Sequence, residues 1–85
     1  MGSYKIAFVS SALKELKKLP RQKIPRVMKE IEALGANPRP HGCKKLSGEE
    51  YWRIRIGSYR VVYSIESKTL TVLIIRIGHR KDVYK

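Results

Sequence analysis

Tyr51-Trp52-Arg53-Ile54-Arg55-Ile56-Gly57-Ser58-Tyr59-Arg60-Val61-Val62-Tyr63-Ser64-Ile65-Glu66 reads as two alternating runs about a tight turn. Successive side chains of a strand point to opposite faces. Trp52, Ile54 and Ile56 therefore share one face, and Tyr51, Arg53 and Arg55 the other. Gly57-Ser58 is a two-residue turn signal and predicts a hairpin. In the returning strand Tyr59, Val61, Tyr63 and Ile65 take one face, and Arg60, Val62 and Ser64 the other. One face is built for a core, while the other collects arginines.

Working outward, Ser67-Lys68 predicts a second turn, and Leu70 to Ile77 is apolar on both faces, as expected of a central strand. Upstream, Asn37-Pro38-Arg39-Pro40-His41-Gly42 is a loop by its turn chemistry. Ile24, Val27, Met28, Ile31 and Leu34 fall on one face of a helix. A start near Arg21 or Gln22 makes Pro25 tolerable, because the first N–H groups of a helix have no intrahelical partner. Gly35 is placed as the residue that ends it. Before it, Ala12, Leu13, Leu16 and Leu19 predict a first helix capped by Ser10 or Ser11 and stopped at Leu19-Pro20. Tyr4 to Val9 predicts a first strand. The expected fold is a single α+β domain over residues 1–85. An N-terminal strand, a helical hairpin and a three-stranded antiparallel meander form a four-stranded sheet, with the helices on one face.

Charge narrows the function. Lys and Arg number 19 against 7 Asp and Glu, a net +12 on 85 residues. That density favours polyanionic partners, nucleic acid first. The single Cys43 excludes an intrachain disulfide and is read as a bystander thiol. No cluster of metal-ligand spacing is present, so no metal or cofactor is expected. No run resembles a signal peptide or reaches the roughly 20 apolar residues of a membrane span, so the expected compartment is the cytoplasm.

Arg53 and Arg55 point to one face, Arg60 lies just across the turn, and Arg80 follows the last strand. Four guanidiniums on one surface repel one another without an anion, and arginine binds phosphate bidentately. Lys44 and Lys45 extend the basic track, and Lys81 lies in the basic tail. Tyr51, Tyr59 and Tyr84 are candidates for stacking on the bases of single-stranded RNA. The tail Gly78-His79-Arg80-Lys81-Asp82-Val83-Tyr84-Lys85 adds an imidazole and a phenol. If the tail is extended, Arg80 and Tyr84 share a side and His79 points to the other.

These residues carry a family resemblance. Tyr4-Lys5-Ile6, Leu13-Lys14-Glu15-Leu16-Lys17-Lys18-Leu19-Pro20, Asn37-Pro38-Arg39-Pro40, Lys45-Leu46-Ser47-Gly48, Trp52-Arg53-Ile54-Arg55-Ile56-Gly57, Tyr59-Arg60-Val61-Val62-Tyr63 and Ile77 through Tyr84 stand in an order that resembles the RelE/ParE toxins, in particular the RelE-like branch. The resemblance implies an endoribonuclease (an mRNA interferase) that enters the ribosomal A site, cuts mRNA without a metal and inhibits translation. It implies an acidic or amphipathic antitoxin partner in a hetero-oligomer. It assigns catalysis to Arg60, Arg80 and Tyr84, with His79 as the alternative proton carrier. Arg53 and Arg55 stand where RelE-like toxins often carry lysines, which makes them better phosphate clamps and poorer proton donors. Two other functions are weighed: a ParE-like poison of DNA gyrase, and a non-catalytic RNA-binding module.

Overall fold

The computed structural model describes residues 3–46, 48 and 50–79. The element order is β1 (Lys5–Phe8), α1 (Ser10–Lys17), a 3-10 turn (Arg21–Lys23), α2 (Ile24–Ala36), β2 (Lys44–Lys45), β3 (Trp52–Ile56), β4 (Tyr59–Glu66) and β5 (Thr71–His79). The sheet has five strands, in the order β1-β5-β4-β3-β2. It has one strand more than the sequence predicts, because Lys44 and Lys45 pair with Arg53 and Trp52 as a short edge strand. Two lysines carry no strand pattern of their own, so pairing alone makes them a strand. β1 joins β5 in parallel, and every other pairing is antiparallel.

The helices cover one face. Ala12 and Leu16 of α1 and Val27, Ile31 and Leu34 of α2 pack on Ile54, Ile56, Val61, Tyr63, Val72, Ile74 and Ile77. These are the apolar positions of the helical and alternating patterns. Tyr63 is fully buried, and its hydroxyl donates to the Pro38 carbonyl at 2.6 Å, which fastens the loop after α2 to the sheet. In the same loop the Arg39 guanidinium lies 5.1 Å from the centre of the Trp52 ring, a cation–π contact.

Several local expectations are corrected. Neither serine caps α1: Val9 precedes it, with no side-chain cap. The sheet fixes that helix start instead, since the Val9 N–H donates to the Ile74 carbonyl at 3.0 Å. Helix α2 begins at Ile24 after the 3-10 turn, so Pro25 sits in its first turn, where its missing N–H costs nothing. Gly35 does not end that helix; it lies inside it, and Asn37 is the cap. Its role is close approach. The Tyr4 N–H donates to the Gly35 carbonyl at 2.8 Å, and a Cβ at Gly35 would stand 2.9 Å from the Tyr4 carbonyl oxygen. Leu70 is not a strand residue but closes the β4–β5 turn with φ 48°, and β5 begins at Thr71. Gly57, with φ 60°, opens the β3–β4 turn, as glycine does at the first central position of a II′ turn.

One feature of β5 sets its two faces. Val62 pairs with Arg76 but Tyr63 with Ile74, so Ile75 is an extra residue, a β-bulge. Before the bulge Val72 and Ile74 face the core; after it Ile77 does. Gly78 therefore lies beside Arg60 on the outer face, and His79 beside Tyr59 on the helix side. Strand β1 pairs no further than Ile74, which leaves the β5 edge open beyond it. There the Ile77 N–H donates to Glu15 Oε1 of α1 at 2.8 Å, and Arg76 Nε stands 4.0 Å from Glu15 Oε2.

The Gly35 contact is testable. Gly35→Ala must push β1 away from α2, an overpacking that costs about 1–3 kcal/mol. Chemical denaturation should show a lower midpoint with an unchanged slope; a more stable variant would show that the close approach is not needed.

Candidate functional site

The outer face of the sheet is organised by register. Arg53 lies between Lys44 on β2 and Val62 on β4. Arg55 lies directly opposite Arg60, and Arg60 has Gly78 on its other side. Gly78 itself adds no side chain beside Arg60. The three arginines thus meet on one patch, as their spacing predicts. Their exposure differs from the expectation of an open arginine surface. Arg55 is exposed, but Arg53 is 4% and Arg60 2% exposed. At such exposures the guanidiniums themselves, and not only their methylene stems, are out of solvent.

This burial has electrostatic consequences. Burial, and next the neighbouring Arg55 charge, lower the Arg53 pKa from its ordinary value, while Cys43 acts in the opposite sense. Arginine remains charged at neutral pH. The Arg53 Nε is buried and makes no hydrogen bond among the described residues. Leaving such a donor unmatched costs about 1–3 kcal/mol, and more for a charged group. Like charges directly opposite on adjacent strands are destabilising as well. Arg55 makes no ion pair among the described residues. A patch that tolerates these costs is suited to an anion.

The other sequence-predicted residues divide between the faces. Lys44 shares the arginine face, whereas Lys45 is paired with Trp52 and takes the helix-side face at the sheet edge. Tyr59 does not join the arginines. It is paired with Ile56 and His79 on the helix side, and its ring meets His79 edge-on, with centroids 6.0 Å apart and planes at 78°. His79 is thus across the sheet from Arg60. Tyr51 precedes β3, and its carbonyl accepts the Leu46 N–H at 2.9 Å. Arg80, Lys81 and Tyr84 lie outside the described residues. Tyr63 is no candidate for proton transfer, because burial first and Cys43 second raise its phenol pKa well above the ordinary value. Among the described residues no three His, Cys, Asp or Glu side chains form a metal-holding group, and no helix is long and apolar enough to cross a membrane.

The sequence reading passed over Lys23 and Arg26. They line a cavity of about 230 Å³ with Val27, Ile56, Gly57, Ser58, Tyr59 and His79. The signal available was their spacing of three at the start of a helix, which puts them on one side of it.

Comparison with known proteins gives a consistent result. The family model described as the ParE toxin of type II toxin–antitoxin systems, parDE, matches residues 6–84. Toxin RelE3 of Methanocaldococcus jannaschii is 33% identical, over 94% of this chain and 94% of its own. Toxin RelG of Mycobacterium tuberculosis is 31% identical, over 96% of this chain and 97% of its own. The toxin–antitoxin complex RelBE2 of M. tuberculosis contains a chain that superposes with a TM-score of 0.82 at 31% identity, covering 92% of this chain and 99% of that one. The isolated E. coli RelE toxin superposes with a TM-score of 0.81 at 29% identity, covering 96% and 92%.

The Arg55–Arg60 pair separates scaffold from site. Arg55→Thr removes a like-charge neighbour and should raise stability by about 0.2–1 kcal/mol. It should also lower affinity for single-stranded RNA and reduce the salt dependence of binding by about 0.7 in log–log slope, the loss of one phosphate contact. Paired denaturation and binding titrations check both. Lower stability with an unchanged slope would make Arg55 a structural residue.

Proposed function

The chain belongs to the RelE/ParE superfamily of type II toxins, and from that premise we propose that it is a ribosome-dependent endoribonuclease that cleaves mRNA in the A site and so stops translation. The observation that carries this reading is the outer-face patch. Arg55 stands opposite Arg60, and Arg53 beside them holds a buried, unmatched Nε. These groups suit a phosphodiester, whose nonbridging oxygens accept paired N–H donors.

In the proposed reaction the 2′-oxygen bonds to the adjacent phosphorus while the bond from phosphorus to the 5′-oxygen breaks. The proton of the 2′-hydroxyl passes to a base, and the leaving 5′-oxygen gains one. The products are a 2′,3′-cyclic phosphate and a 5′-hydroxyl. Arg60 and Arg80 stabilise the charge that builds on the phosphorane-like transition state. Arg53, Arg55 and Lys44 hold the RNA on the outer face, Lys81 holds it from the tail, and Lys45 adds charge at the sheet edge from the other face. Tyr84 carries the proton. His79 is the less favoured carrier because its ring stands against Tyr59 on the face away from Arg60. Because Arg53 and Arg60 are buried, bound RNA must uncover them.

The toxin would be silenced by a cognate antitoxin. Solved relatives include RelE toxins in complex with RelB antitoxins, and a +12 surface favours an acidic or amphipathic partner. A second reading, a ParE-like poison of DNA gyrase, is favoured by the description of the matching family model. Gyrase-dependent DNA breaks with intact mRNA would select it.

Single-turnover cleavage on programmed ribosomes tests the assignment. Loss of a positioned base costs about 10² to 10⁴ in rate. Tyr84→Phe should fall in that range with ribosome binding retained, and His79→Ala should lose less. A full-rate Tyr84→Phe beside an inactive His79→Ala would reverse the roles.

A further inference from the structure

The cavity under the β3–β4 turn has a composition that neither the core nor the arginine patch explains. Lys23 and Arg26 stand over it, Val27 and Ile56 supply apolar wall, and Tyr59 and His79 close one side. Among the described residues no carboxylate lines it, and neither cation makes an ion pair. Lys23 and Arg26 are solvent-exposed cations beside a partly open space with apolar wall, a setting that suits an anion bringing its own apolar surface. The aromatic walls narrow the choice. The two rings stand at 78° with centroids 6.0 Å apart, so they form a corner. A planar base can lie against one ring and meet the edge of the other. An acidic peptide would use the cations but has no need of that corner.

Position links the cavity to the RNA path. Tyr59–His79 is the register pair next to Arg60–Gly78, on the opposite face of the sheet. One strand residue advances about 3.3 Å. Both sites therefore lie at the same end of the sheet, beside the β3–β4 turn. Arg26 lies against the β3–β4 turn: a Cβ at Gly57 would stand 3.7 Å from its guanidinium, an ordinary contact, and it is the φ of 60° that calls for glycine there.

We infer that the Lys23–Arg26–Tyr59–His79 cavity is a second nucleotide subsite, which holds one base and its phosphate where single-stranded RNA crosses from the arginine face around the end of the sheet. The inference rests on the reading of the partner as RNA. Its chemistry is binding; no bond is made or broken there.

The test uses the intact protein and a short single-stranded RNA carrying 4-thiouridine. Affinity is measured across salt concentrations for wild type, for Lys23→Ala/Arg26→Ala, and for Lys5→Ala/Lys68→Ala, which removes the same charge at the other end of the sheet. Circular dichroism confirms that each variant folds. The cavity variant should bind more weakly, with a log–log salt slope lower by about 1.4 for two phosphate contacts, and the control should keep a slope closer to wild type. Photocrosslinks should map to Tyr59 or His79 in wild type. Equal slopes for the two variants, or crosslinks confined to the arginine face, would overturn the inference. So would selective loss of poly-glutamate binding with RNA binding intact, which would identify an acidic-peptide site. Cleavage on ribosomes is scored separately. A wild type that binds RNA through this cavity but cuts nothing defeats the nuclease reading alone.

Discussion

The bulge at Ile75 decides what each face of this sheet presents. Strand β5 pairs with β1 only before the bulge and with β4 on both sides of it, so the change in its parity alters what stands beside β4. Up to Ile74 the even-numbered residues face the helices, and beyond the bulge the odd-numbered ones do. That single insertion puts Gly78 beside Arg60 and His79 beside Tyr59. Without it the imidazole would lie among the arginines and the glycine in the helix-side cavity. Bulges also end regular pairing. Here the irregularity falls where β1 stops, and Glu15 supplies the acceptor that the open edge lacks.

Electrostatics follows from that arrangement. Acidic side chains are few, and among the described residues the one ion pair uses Glu15 at the open edge of β5. Among the described residues Lys23, Arg26 and Arg55 form no ion pair. Their mutual repulsion is tolerated because the apolar core, drawn from both helices and three strands, stabilises the fold without them. Core and outer face thus draw on alternate residues of one strand: Val61 and Tyr63 pack in the core, while Arg60 lies on the outer face.

Most of this was legible in the sequence. The alternation through Trp52–Ile56 and Tyr59–Glu66 announces the hairpin, its turn and its arginine face, and the helical spacing of Leu16, Val27, Ile31 and Leu34 announces the layer above. What was hidden depends on tertiary contact. Leu73 to Ile77 is almost wholly apolar, so an extra residue leaves no mark on the pattern. Lys44 and Lys45 become a strand only by pairing. Gly35 looks like a helix terminator until Tyr4 is seen against it. The Lys23–Arg26 cavity is assembled from α2, the β3–β4 turn and the end of β5, segments far apart in the chain. Parity alone placed Tyr59 correctly with Val61 and Tyr63, yet its aromatic chemistry suggested the RNA face.

The central claim is that the outer-face arginines hold a phosphodiester for attack by its own 2′-hydroxyl. The most direct measurement places a single 2′-deoxynucleotide at the scissile position of an mRNA on programmed ribosomes. The all-RNA message should yield a 2′,3′-cyclic phosphate and a 5′-hydroxyl, and the deoxy-substituted message should not be cut at that linkage. Cleavage at an undiminished rate through the deoxy linkage would contradict it.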